Sequence, residues 1–250
     1  NKKCVVIRIQ DFVSSSLNNL ISHIVWRTKE REAMNRNVVV WGTGNVGRPA
    51  IRSVVANQDL NLVGVIVSNP EKIGVDAGDL AGIETTGILA TNNIDEALSG
   101  PVDAVVYTVN ADFRPMESLD EVEGLLRKGI NVVTTSFYPM YHPPSMPDDL
   151  AQRFNDACAD GGASIFASGI DPGWTCDILP LLLSGVSADI TEIRSQELMN
   201  YALYDQPDAV RNLVGFGMPM DQTPPMVLDF SLQMVWGPEI RILADGLGVE

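Results

Sequence analysis

Cysteine, histidine and basic charge are all scarce in this chain. Its three cysteines, Cys4, Cys158 and Cys176, are scattered and form no CxxC pair, so neither a disulfide framework nor a zinc motif is encoded and no metal site is expected. Thiols used this way fit a reducing compartment, and the cytoplasm is the expected location. Lys and Arg number 17 against 32 Asp and Glu, a formal charge of −15. That balance repels nucleic-acid phosphates and anionic lipid, and it excludes both as partners. Long hydrophobic runs are missing too: 179–186 is far shorter than the roughly 18–20 residues of a membrane helix and contains Ser184 and Gly185. There is no internal repeat or low-complexity stretch, and no clear signal-peptide centre.

What the chain does have is 45% hydrophobic residues in a length of 250, enough to bury a sizeable core. Residues 1–33 read as an extension, in which Leu17, Leu20, Ile21, Ile24 and Val25 give 12–26 the spacing of a short amphipathic helix. From Met34 onward, short β-branched runs alternate with helical stretches, the pattern of a parallel sheet crossed by helices. Strands are predicted at 37–41, 62–67, 88–90, 102–109, 131–135 and 164–170, with helices at 48–57, 94–98, 116–128 and 147–160. After Pro172-Gly173 the texture changes. A helix over 175–183, a long strand over 190–201 and a helical stretch from 224 are expected. The predicted fold class is therefore α/β: a parallel-sheet domain over 34–175, then an α+β domain for substrate and dimerisation that begins at 176 and is incomplete at 250.

The strongest local motif is Val38-Val39-Val40-Trp41-Gly42-Thr43-Gly44-Asn45-Val46-Gly47, a GxGxxG that leaves a buried-strand run and enters a helix. In the Rossmann dinucleotide fold the three glycines serve a tight turn, close approach of backbone to pyrophosphate, and close helix–strand packing. These are the roles expected of Gly42, Gly44 and Gly47, with Thr43, Asn45 and Val46 offering backbone groups at the helix N-terminus. Three glycines in an ordinary turn are the plain alternative. Where the second strand ends, Val67-Ser68-Asn69-Pro70 lacks the carboxylate that pairs with the 2′-hydroxyl of NAD. Ser68 and Asn69, with Lys72 or Arg48, could instead meet a 2′-phosphate, so NADP(H) is favoured over NAD(H); equally, Ser68 and Asn69 suit the turn before Pro70. Later strand ends nominate Thr108, Val109 and Thr135 as neighbours of the nicotinamide half, or else as local hydrogen-bonding residues.

Four stretches carry a resemblance to a known group: Val40 to Arg48, Gly74-Val75-Asp76-Ala77-Gly78-Asp79-Leu80-Ala81-Gly82, Gly129 to Thr135, and Gly169-Ile170-Asp171-Pro172-Gly173-Trp174. With them the chain from Met34 resembles the 2,4-diaminopentanoate dehydrogenase and amine dehydrogenase-like group, whose N-terminal domain is similar to that of dihydrodipicolinate reductase. The resemblance implies NAD(P)H-dependent interconversion of a small amine with an imine or ketone by hydride transfer, and a homodimer. Amine dehydrogenases of this group carry a glutamate shortly after the Asn-Val-Val-Thr-Thr strand. Here the stretch is Ser136-Phe137-Tyr138-Pro139-Met140-Tyr141-His142, without a carboxylate.

Candidate catalytic residues are accordingly Asp171, held by Pro172-Gly173 just past the sixth strand, together with Tyr141 and His142 as proton-handling groups, Tyr138 being a further phenol in that loop. Asp171 has an alternative role as the cap of the helix that follows. Two other functions stay open: a reductase of another imine or carbonyl on the same scaffold, and a catalytically silent nucleotide-binding module.

Overall fold

Six parallel strands in the order β3-β2-β1-β4-β5-β6 carry the rest of the molecule. The computed structural model describes residues 35–249. The strands are β1 (Arg36–Trp41), β2 (Leu60–Ile66), β3 (Ala90–Thr91), β4 (Ala104–Tyr107), β5 (Asn131–Thr134) and β6 (Ile165–Ala167). Between them run α1 (Gly47–Ala56), α2 (Ala77–Ala81), α3 (Ile94–Ala97), α4 (Pro115–Arg127) and α5 (Asp148–Gly161). The chain winds outward from β1 to β3 and then returns to pair β4 against the other side of β1. This is the doubly wound α/β order, and its switch point opens a crevice at the carboxyl ends of β1 and β4.

Alternation along β1 builds both faces of the core. Val38 and Val40 join Ile51 and Val54 of α1 and Ala77 and Ala81 of α2, whereas Val39 and Trp41 join Leu125 and Leu126 of α4 and Phe154 of α5. A strand buried on both faces has to be apolar throughout, which is why it reads as an unbroken hydrophobic run. The register of β1 with β2 slips between Val38 and Val39, pairing them with Leu62 and Gly64. That irregularity lets Leu62 and Val65, three residues apart, pack in one cluster.

The Gly74–Gly82 motif becomes a clasp. Asp76 is buried and accepts hydrogen bonds from the backbone N–H groups of Gly78 (2.7 Å), Thr86 (3.0 Å) and Gly87 (2.8 Å). The Thr86 N–H foremost, these donors hold the Asp76 carboxyl below its ordinary value. One carboxylate thus caps α2 and pins the loop before β3.

Beyond β6 the structure departs from expectation. The helix predicted at 175–183 forms as α6 (Ile178–Ser184), and the C-terminal stretch gives α7 (Asp229–Val235) and α8 (Gly237–Leu247). The long strand expected at 190–201 does not form, and among the described residues no strand follows β6. Over 190–200 the backbone has no neighbouring strand to complete a ladder, and Leu198 is 98% exposed. The α+β texture expected for 176–250 is therefore absent from the described residues. Asn35–Glu250 group as one compact unit, so the change near residue 175 lies inside it. The helix expected at 12–26 lies outside the described residues. No described helix is long and apolar enough to cross a membrane.

Candidate active site

The crevice at the switch point is a cleft of about 550 Å³. Its floor is the turn from β1 into α1. Gly42 has φ +106°, and a Cβ there would lie 2.7 Å from Thr108 Oγ1; one on Gly47 would lie 2.0 Å from the Gly42 carbonyl oxygen. Both glycines are demanded by the fold. Gly44 is not: it has no positive φ, and a Cβ built on it meets nothing within 4 Å. The chain thus keeps its smallest residue where its own packing does not need one, above a helix whose first turn has no side-chain cap and no acidic residue. Free backbone N–H groups and an open approach suit a diphosphate.

The predicted cofactor residues gather here. Thr43, Gly44, Asn45 and Val46 line the cleft with Gly42, and so do Ser68 and Asn69 from the end of β2, Thr108 and Val109 after β4, and Thr135 after β5. Gly47 lies behind them as a packing residue. Several also have local duties: Asn69 Oδ1 accepts from Glu71 N at 3.0 Å, and Thr108 Oγ1 donates to the Trp41 carbonyl at 3.0 Å. Lys72 bends back over the glycine turn, its ammonium donating to the Thr43 carbonyl at 3.0 Å. Arg48 points instead to Asn45 Oδ1 at 3.1 Å.

The three predicted catalytic residues separate. Asp171 lines the cleft and accepts from the Cys176 thiol at 3.1 Å. It does not cap α6; Asp177, whose carboxylate receives the Ile178 N–H, does that. Tyr141 and His142 are both buried and are absent from the cleft wall. Tyr141 donates its hydroxyl to the Thr135 carbonyl at 3.3 Å, while His142 bonds Ser145 and Asp245, each at 2.9 Å. The residues of that loop which do reach the cleft are Ser136 and Tyr138.

Several residues had no distinguishing signal in the sequence. Glu197, from the irregular 190–200 segment, lines the cleft with Asp171. The neighbouring Asp171 carboxyl, foremost, together with burial, holds Glu197 above its ordinary value. Glu239 in the first turn of α8 is 4% exposed and accepts the Gly173 N–H at 2.6 Å. Burial pushes its carboxyl up to about 7 and the Cys176 thiol up to about 11. Ligand atoms of Asp171, Cys176 and Glu239 lie within 4.8 Å of one another. The turn carrying Asp171 is thus held from behind by a buried, hydrogen-bonded acid. Tyr201, Tyr204 and Trp236 also line the cleft.

Comparison with known proteins agrees with this geometry. Residues 36–140 match the family model for the dihydrodipicolinate reductase N-terminus. Amine dehydrogenase from Streptomyces virginiae is 48% identical over 215 residues, covering 86% of this chain and 60% of that protein. The 2,4-diaminopentanoate dehydrogenase of Acetoanaerobium sticklandii is 22% identical over 222 residues, or 84% of this chain and 60% of that one. The solved amine dehydrogenase from Mycobacterium smegmatis aligns with TM-score 0.52 and 24% identity over 62% of this chain and 45% of that chain, a likeness of fold. The chain spans 60% of the length of these two curated relatives.

Proposed function

We propose, on the premise that the chain is a homologue of amine dehydrogenase, that it holds a nicotinamide dinucleotide in the cleft and serves hydride transfer between a small amine and its imine or ketone. The observation that carries this is the space above Gly44, an approach the fold does not use for itself, at the switch point of a doubly wound sheet. When bound, the reduced dinucleotide supplies hydride; the protein's part is to position the substrate carbon and manage protons. In this reading Gly42 to Gly47 receive the diphosphate, Thr108, Val109 and Thr135 border the nicotinamide, and Asp171 with Glu197 faces the reacting end. Residues 34–175 serve the cofactor. Residues 176–250 serve the substrate and a homodimer contact, for which the exposed Leu198, Leu203 and Met220 are apolar candidates.

NADP(H) is the favoured form, because Ser68 and Asn69 bring no carboxylate and the Lys72 ammonium stands at the glycine turn. Trp236 on the cleft wall offers a fluorescence reporter. Titration with NADPH and NADH should show tighter NADPH binding, and Ser68→Asp should reverse the order. Gly44→Val should weaken both at least about tenfold with unchanged melting, since its backbone angles accept a side chain and only the ligand's space is filled. Equal binding by the Gly44 variant would remove the cofactor assignment.

A second reading, a reductase of a different carbonyl or imine, is favoured by the lack of a carboxylate along 136–142. Turnover against a panel of amines and ketones, with and without ammonia, separates the two.

A further inference from the structure

The loop after β5 contains three groups able to handle a proton, Tyr138, Tyr141 and His142, and the structure distributes them unequally. Tyr141 already donates to the Thr135 carbonyl, and both ring nitrogens of His142 are used by Ser145 and Asp245. Among the described residues the Tyr138 hydroxyl donates to no protein acceptor, and Tyr138 lines the cleft together with Ser136 and Asp171. Its ring is fixed edge-on to Tyr141, with centroids 6.1 Å apart.

We propose that Tyr138 is a catalytic residue of this cleft, its hydroxyl donating to the nitrogen or oxygen of the substrate's C=N or C=O group. The half-buried Tyr138 keeps its hydroxyl uncommitted to any protein acceptor on the cleft wall, which leaves that donor for whatever occupies the cleft. It also stands in the loop where the resemblance calls for a carboxylate, and it differs from one in kind: a carboxylate receives a proton from an ammonium, whereas a phenol polarises a neutral double bond. Burial, foremost, pushes the Tyr138 hydroxyl up to about 12, so it keeps its proton throughout the neutral range.

A bound reduced dinucleotide would supply hydride to the substrate carbon, and the π electron pair of C=N or C=O would then move to the heteroatom. The Tyr138 O–H bond breaks toward that atom as the new N–H or O–H bond forms. Water then returns a proton to the phenolate. Oxidation of the amine runs the same sequence backwards.

This inference rests on the proposed function, and one experiment distinguishes the failure of each. Tyr138→Phe keeps the ring and its packing and removes only the hydroxyl. Wild type, Tyr138→Phe and Tyr141→Phe are titrated with NADPH, and then with cyclohexanone in the presence of saturating NADP⁺, reading Trp fluorescence; melting temperatures are recorded alongside. The expected result is NADPH affinity within twofold for all three proteins and ketone affinity weakened about fivefold or more in Tyr138→Phe alone. Reduction of cyclohexanone should fall by a larger factor still, through kcat rather than through KM for NADPH. Ketone affinity within twofold of wild type in Tyr138→Phe, an equal loss in Tyr141→Phe, or no ketone binding by the wild type, overturns the Tyr138 assignment while the cofactor reading stands. Absence of NADPH binding by the wild type removes both.

Discussion

The two halves of the described chain are held by different forces. Up to Ala163, buried positions are overwhelmingly apolar and gather in two clusters, one on each face of the sheet. After Ala163, the buried residues are Gly173, Asp177, Pro238 and Glu239, two of them carboxylic acids. Large apolar side chains are present in the second half but face outward, Met220 at 100% and Leu203 at 82% exposure. Beyond β6, polar links from this half to the first run from His142 to Asp245 and from Asn45 Nδ2 to the Asp205 carbonyl at 3.2 Å, while Glu239 to Gly173 fastens α8 to the turn that follows β6. Apolar burial at about 25 cal/mol per Å² makes the first half self-supporting. Hydrogen bonds contribute only about 1 kcal/mol each net, so the second half should open first.

The sharpest way to break that contrast is to truncate leucines in both halves. Leu126 is fully buried between α4 and the sheet, and Leu126→Ala should cost about 2–5 kcal/mol in urea unfolding. Leu203→Ala should change stability by less than about 0.5 kcal/mol. Comparable losses at both positions would mean that residues after 163 contribute a core of their own.

A smaller effect tests the polar tie itself. The Glu239 carboxyl, pushed up to about 7 in the folded chain, lies near its ordinary 4.5 when unfolded. Below that unfolded value both states hold the proton and the group's contribution is complete. As pH rises toward 7 the unfolded chain releases its proton first, so stability falls, by on the order of 3 kcal/mol, and then levels. Glu239→Gln should flatten this slope. Asp76, held below its ordinary value, acts with the opposite sign at more acid pH and does not confuse the window. A slope unchanged in Glu239→Gln would assign the pH dependence to other groups.

The same contrast explains what was legible in the sequence. The central strands were readable, since a strand buried on both faces must show a β-branched run, whereas the edge strand expected at 88–90 shares only Ala90 with β3 and the short helix Ala77–Ala81 was not anticipated. The glycine turn was readable because its backbone geometry admits few residues. The strand expected at 190–201 failed because alternation proposes a strand while only a neighbouring strand creates one. Glu197 and Glu239 were missed for a related reason: an acid in an irregular segment and an acid in a helix's first turn are ordinary in sequence, and only tertiary packing brings them to Asp171. The loop 136–142 lies between these cases. Its proton-handling residues were visible, but the choice among them depends on which way each side chain turns.

The smallest expected effect concerns that loop. His142 is 8% exposed and joins the loop, through Ser145 Oγ, to Asp245 on α8. If the second half is held by polar ties and the cleft is served by other residues, His142→Asn should lower stability by about 1 kcal/mol, the ordinary worth of such hydrogen bonds. Protease cleavage within α8 should become faster, because the opening that exposes it loses one restraint. NADPH affinity and the effect of Tyr138→Phe should both be unchanged, since neither ring nitrogen faces the cleft. Lost turnover at normal melting temperature would reverse the assignment, making His142 a site residue and Asp245 its orienting partner.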